Sequence, residues 1–247
     1  MARPPSRPRS ARRPRAARRQ PAGPPPERDL TAVADEALRH AVCAAGRRLA
    51  ERDLIGAGEG NLSARRPDGT FLVTPSGVGK GHLAPGDLLV VDAEGRVLSG
   101  HGRPSTELAM HLCAYAARPE IAAAVHAHPL TAVALTVAGL PWPGDLVPEA
   151  AVTLGVVAVA PFAVPGTEGV PASLAPFLPG HDVLLLARHG ALCLGATVTE
   201  AVDRMETLER VARIALKARS FGGCAPLTAA QVEAVLRAAG KPSREPG

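Results

Sequence analysis

The feature that most constrains this chain is a switch of period. Two long stretches with the 3.6-residue repeat of a helix enclose a series of short extended runs. Leu30, Val33, Ala37, Ala41, Ala45 and Leu49 form one apolar face of a helix from Leu30 to about Leu54, after a candidate cap at Asp29. Gly56-Ala-Gly-Glu-Gly60 stops it. Runs at 62–65, 70–73, 88–92 and 96–98 follow, split by Pro67-Asp-Gly69, Pro85-Gly86 and Glu94-Gly95, and read as β hairpins. Helical spacing returns over 105–117 through Leu108, Leu112 and Tyr115, and Pro119 closes it. A strand over 121–127, a short helix over 130–138 and strands over 152–160, 183–188 and 191–194 come next. Thr197-x-x-Glu200 opens a helix to about Phe221, and Thr228-x-x-Gln231 opens the last one. No repeat and no linker interrupts 29–240, so one domain is expected there.

Composition excludes several functions. The net charge of +5 misleads, because residues 1–28 carry nine arginines against Glu27 alone; the rest of the chain is net negative. The high pI therefore belongs to a tail, and the tail has no aromatic side chains to stack on bases, so no nucleic-acid partner is expected. Rich in Arg, Pro and Ala without apolar periodicity, residues 1–28 are expected to be disordered, as is a flexible end over 241–247. The tail lacks the apolar core of a secretory signal, and Pro4, Pro5, Pro8 and Pro14 oppose an amphipathic transit helix. No apolar span of about 18 residues would cross a membrane. Cys43, Cys113, Cys193 and Cys224 show no C-x-x-C spacing, so reduced thiols and a cytoplasmic location are expected.

His126-Ala127-His128 ends the 121–127 strand. Side chains at i and i+2 of a strand share a face, so both imidazoles project together while Ala127 turns into the packing. A divalent metal asks this of two ligands, although such a pair can also sit hydrogen-bonded at a strand edge. His189 ends another apolar run and is followed by Gly190, making it the candidate third ligand. His40 and His111 fall in helices and His82, His101 and His181 in loops, where solvated roles are expected. Arg103-Pro-Ser-Thr-Glu107 sets two hydroxyls at a loop-to-helix junction, where free N–H groups favour an anion. Glu107 is either reactive or a carboxylate favoured by the helix dipole. The turns Gly58-Glu-Gly-Asn61-Leu-Ser63 and Thr74-Pro-Ser76-Gly77-Val-Gly79-Lys80 have the character of anion nests.

Taken in order, Gly60-Asn61-Leu62-Ser63, Thr74-Pro75-Ser76-Gly77, Pro104-Ser105-Thr106-Glu107, His126-Ala127-His128-Pro129 and His189-Gly190 resemble the class II aldolase/adducin superfamily. Its best-known members are L-fuculose-1-phosphate aldolase and L-ribulose-5-phosphate 4-epimerase. The resemblance spans about 30–222. It implies a single three-layer α/β/α domain with a largely antiparallel central sheet, assembled as a homotetramer with active sites at subunit interfaces. It also implies that His126, His128 and His189 bind zinc or another divalent ion such as manganese or cobalt. Asn61, Ser76, Gly77, Ser105 and Thr106 would hold a sugar-phosphate substrate, and Glu107 would be the acid/base.

The activity implied is a metal-dependent aldolase that cleaves a small phosphorylated ketose to dihydroxyacetone phosphate and an aldehyde through a metal-stabilised enediolate. Glu at 107, where the epimerase pattern has Asp, favours the aldolase. Lys80, Lys217 and Lys241 lie outside buried apolar strands, so no Schiff-base lysine is expected. One departure stands out: where many relatives read Ala-Pro-Tyr, with an interface tyrosine for proton transfer at the aldehyde oxygen, this chain has Ala160-Pro161-Phe162. Tyr115 is its sole tyrosine, and Glu149 is a candidate extra acid. The same metal chemistry serves an epimerase, a decarboxylase of a phosphorylated oxo-sugar acid, or a dehydratase. A non-catalytic, adducin-like scaffold would instead lack ligands, and all three histidines and Glu107 are present.

Overall fold

The structure, a computed structural model, describes Met1 and residues 30–243. The expected tail over 1–28 lies outside the described residues apart from Met1, as do residues 244–247 of the expected flexible end over 241–247.

Helix α1 (Leu30–Glu51) leads into strands β1 (Asn61–Arg65), β2 (Phe71–Val73), β3 (Leu89–Val91) and β4 (Val97–Ser99). Then come α2 (Leu108–Ala117), β5 (Ala123–Ala127), α3 (Leu130–Val137), a π turn (Ala150–Leu154), β6 (Val157–Ala160) and α4 (Gly169–Leu174). The chain closes with β7 (Val183–Leu186), β8 (Gly190–Gly195), α5 (Val198–Ser220) and α6 (Ala229–Ala238). The strands form one sheet in the order β4-β3-β2-β1-β5-β8-β7-β6, and only the β6–β7 pair is parallel.

Period-2 alternation divides the core into two faces. Leu62, Ala64, Val125, Ala127, Ala191 and Cys193 point toward α1, α3 and α5. Phe71, Val73, Ala124, Leu184, Leu192 and Leu194 point toward α2 and α4. This is the three-layer α/β/α arrangement expected, with the sheet in the middle. No helix among the described residues is long and apolar enough to cross a membrane.

Three local expectations fail for physical reasons. The buried side of α1 runs through Leu38, Val42, Ala45 and Leu49, while Val33 is exposed, because the helix meets the sheet only after its second turn. Residues 152–160 are not one strand. The π turn occupies 150–154, Gly155 adopts a left-handed φ of 66°, and only Val157–Ala160 pairs with β7. Helix α2 begins at Leu108 rather than 105, so Glu107 is its N-cap residue and not part of its first turn.

Candidate active site

The register of the sheet assembles the site. Asn61 of β1 lies opposite His126 of β5, which lies opposite Leu192 of β8, and Asn61, Ser63 and His126 point to the α2 face. Beyond the strand end His128 follows, its N–H donating to the Leu54 carbonyl at 2.8 Å. His189 comes from the turn between β7 and β8. Gly190 makes room: a Cβ there would lie 2.6 Å from the Ala127 carbonyl oxygen, 2.7 Å from His128 Cδ2 and 2.9 Å from His126 Cε1.

One ring nitrogen from each of His126, His128 and His189 falls within 4.8 Å of the others. Their tautomers test whether a cation fits. His126 Nδ1 lies 3.0 Å from the Ala191 carbonyl oxygen, an acceptor, so Nδ1 carries the proton and Nε2 a lone pair. His128 Nδ1 lies 3.3 Å from the Glu59 carboxylate, which selects the same tautomer. The two Nε2 atoms then face one another at 3.1 Å, lone pair to lone pair. A divalent ion removes that repulsion, and the spacing is close to the ~3.3 Å expected of two nitrogens ~2.0 Å from one tetrahedral ion. The three imidazoles therefore fit a divalent metal ion.

Glu107 closes the group. Its Oε2 accepts from Asn61 Nδ2 at 3.0 Å and lies 3.2 Å from His126 Nε2, while its Oε1 lies 3.0 Å from His189 Nε2. Neither imidazole contact has the alignment of a hydrogen bond, and Glu107 Oε1, Asn61 Oδ1 and His189 Nδ1 are left buried without hydrogen-bond partners. Such buried orphans mark a place where a ligand or ion completes the set. Burial alone raises the Glu107 carboxyl; only with protons on the nitrogens that face it would His126 and His189 outweigh this and hold it well below the usual carboxylate range, a state in which those nitrogens carry no metal.

The loops expected to cradle phosphate run side by side. The Ser76 N–H donates to the Arg103 carbonyl at 2.8 Å, and Pro75 and Pro104 form an isolated β bridge. Ser76, Gly77 and Thr106 are exposed; Gly77 has φ 74°, and a Cβ there would meet nothing within 4 Å. Ser105 Oγ accepts from the Glu107 N–H at 3.2 Å, and Ser105 lines a small cleft with Asn61, Ser63, Thr74, Leu108 and His111. Asn61 differs from the others, because its amide is committed to Glu107.

The residues matched by the model of the Class II Aldolase and Adducin N-terminal domain family are 40–216. The chain belongs to this family. A 3-oxo-tetronate 4-phosphate decarboxylase of Escherichia coli K12 is 33% identical over 187 residues, 74% of this chain and 88% of its own. L-fuculose phosphate aldolase of Methanococcus vannielii is 34% identical over 162 residues, 65% of this chain and 85% of its own. The crystal structure of YgbL from Klebsiella pneumoniae matches with a TM-score of 0.76 at 32% identity, covering 81% of this chain and 98% of that one. Members of the class II aldolase family thus include a decarboxylase and an aldolase, both named for sugar-phosphate substrates.

Against this family background, three residues differ from their sequence reading. His111, expected to be solvated, is 1% exposed; its Nδ1 lies 2.6 Å from Ser63 Oγ, and burial pushes its pKa down to about 3. Its position four residues after Glu107, on the same helical side, is the signal in the sequence. Glu59, read as part of an anion nest, accepts from the Gly56 N–H at 2.9 Å and sets its carboxylate beside His128. Lys80 is outside a strand as expected but buried in a 3₁₀ turn, donating to the Val78 carbonyl at 2.7 Å, and burial pushes its pKa down. Glu149 is exposed, as a solvated loop acid would be.

Proposed function

We propose that this chain is a metal-assisted carbon–carbon lyase that decarboxylates a phosphorylated 3-oxo sugar acid of the 3-oxo-tetronate 4-phosphate type. The observation that carries the reading is the fate of the sole tyrosine. Tyr115 is 2% exposed, stacks on Phe71 at 4.6 Å between ring centroids, and lies 2.9 Å from Ser63 Oγ. Burial pushes its phenol pKa up, which removes it further from proton transfer near neutral pH. In a homo-oligomer every copy has only this tyrosine, so no subunit can lend a phenol to its neighbour's site. Phe162, where the family resemblance implies tyrosine, is 58% exposed and has no hydroxyl to exchange a proton with a substrate.

Aldol cleavage must take a proton from the hydroxyl that becomes the aldehyde. Decarboxylation has no such demand, because carbon dioxide leaves from an ionised carboxylate. When the carboxyl leaves, the electron pair of its bond to C2 moves into the ketone, and C2 then takes one proton, giving dihydroxyacetone phosphate. His126, His128 and His189 would hold a divalent ion, zinc in our reading, which would supply electrophilic stabilisation of the negative oxygen. Glu107 takes a proton from solvent and delivers it to C2. Asn61 holds the Glu107 carboxylate in place, while the Ser76-Gly77 and Ser105-Thr106 loops offer N–H and hydroxyl donors to the phosphate.

The second reading is aldol cleavage of a ketose 1-phosphate, which Glu at position 107 favours. Offering purified protein 3-oxo-tetronate 4-phosphate and L-fuculose 1-phosphate side by side separates them. Carbon dioxide from the first and no aldehyde from the second is the expected result; the reverse would make the chain an aldolase.

A further inference from the structure

The turn that presents His189 is built around a strained residue. Arg188 adopts a left-handed backbone with φ 61°, which a side chain with a Cβ holds only when its surroundings impose it. The end of α3 imposes it. The Arg188 N–H donates to Thr136 Oγ1 at 2.8 Å, and its guanidinium donates to the Val137 carbonyl at 3.2 Å. Thr136 Oγ1 also donates to the Val133 carbonyl at 2.7 Å, so the hydroxyl of this buried threonine is held on both sides.

At its other end α3 is tied to the remaining imidazoles. It starts two residues after His128, and Glu209 of α5 accepts from the Thr131 N–H, the Thr131 hydroxyl and the Ala132 N–H at 2.9, 2.7 and 3.1 Å. One helix therefore connects the strand end that carries His126 and His128 with the turn that carries His189.

His189 needs this support more than its neighbours do. His126 and His128 each have Nδ1 beside an acceptor that orients the ring. His189 Nδ1 is buried with no partner. Its Nε2 faces Glu107 Oε1 at 3.0 Å without the alignment of a hydrogen bond, so the backbone of the turn is left to set the direction of the ring.

We infer that Thr136 is a positioning residue of the metal centre: by accepting the Arg188 N–H it fixes the left-handed turn that aims His189 at Glu107 and the other imidazoles. This rests on the metal reading of the three histidines given above. The test compares zinc affinity, by competition with a chromophoric chelator, for the full chain and for T136V, T136S and R188G, with the fold of each metal-free protein checked by circular dichroism. Valine keeps the shape and removes the hydroxyl, and T136V is expected to bind zinc about 10–100-fold more weakly, the usual loss for an outer partner of a ligand. T136S keeps the hydroxyl and is expected within about threefold of wild type. Glycine adopts φ near 60° without strain, so in the R188G background T136V is expected to lose much less. If T136V does not fold, T136A makes the same comparison. Wild type that binds zinc while T136V binds equally well, or T136S as weak as T136V, overturns the inference alone. Wild type that takes no zinc overturns the metal reading and this inference with it.

Discussion

Gly190→Ala is a sharp probe of the packing that makes the site possible. Favourable carbon contacts lie at ~3.5–4.0 Å. The added methyl would come 2.6 Å from the Ala127 carbonyl oxygen and 2.7 and 2.9 Å from carbons of His128 and His126. The carbonyl belongs to a strand whose Ala127 pairs with Ala191, so it cannot swing aside. Overpacking of this kind costs ~1–3 kcal/mol, and involvement of the backbone puts Gly190 at the upper end. For a chain of this size ~2–4 °C accompanies each kcal/mol, so the metal-free protein should melt about 6–12 °C lower. Displaced imidazoles should also weaken zinc binding. Gly86→Ala is the control, since a Cβ there meets nothing within 4 Å and its φ is not left-handed; it should be neutral or stabilising by ~0.4–1 kcal/mol. Thermal unfolding with chelator, followed by zinc titration, reads both effects. A G190A protein that melts with wild type and binds zinc equally would refute the close approach of β8 to the two histidines.

Zinc at about 100 times its Kd should stabilise the protein by ~2.7 kcal/mol, or roughly 5–11 °C, and His126→Ala should abolish the gain; a gain that survives His126→Ala would place the ion elsewhere. Glu107→Gln should keep zinc stoichiometry and lose about 10²–10⁴ in turnover, whereas unchanged turnover would remove Glu107 from proton transfer. His111 titrates at about 3 in the folded chain against 6.5 unfolded, so the unfolded state binds a proton first on acidification. The stability it contributes is complete above about 6.5 and lost as pH falls from there toward 3. Urea midpoints of the metal-free protein should therefore decline less steeply in His111→Gln across that window; parallel declines would contradict the buried neutral imidazole.

What was legible in the sequence depended on the distance over which the signal acts. His126 and His128 declared a shared face because strand geometry is local, and Ala127 is fully buried as that geometry requires. His189 and Glu107 could be joined to them only through the order of motifs, since their contacts span the fold. Residues 152–160 misled because Val152, Thr153 and Leu154 favour strands by themselves, while the π turn there is fixed by packing of Ala151 against Val232 and Leu236 of α6. His111 looked solvated because its partner, Ser63, lies on a different element. Helix α4 went unseen, being short and containing Gly169 and Pro171. The left-handed Arg188 had no sequence signature at all, because Thr136 imposes it from 52 residues away.

The most direct measurement uses 3-oxo-tetronate 4-phosphate labelled with ¹³C at its carboxyl carbon, incubated with the zinc-loaded protein and followed by NMR. The label is expected to appear as carbon dioxide and bicarbonate, in step with dihydroxyacetone phosphate, and chelator is expected to stop both. Label that stays in the sugar acid, while L-fuculose 1-phosphate is cleaved to an aldehyde by the same preparation, would contradict the decarboxylase reading.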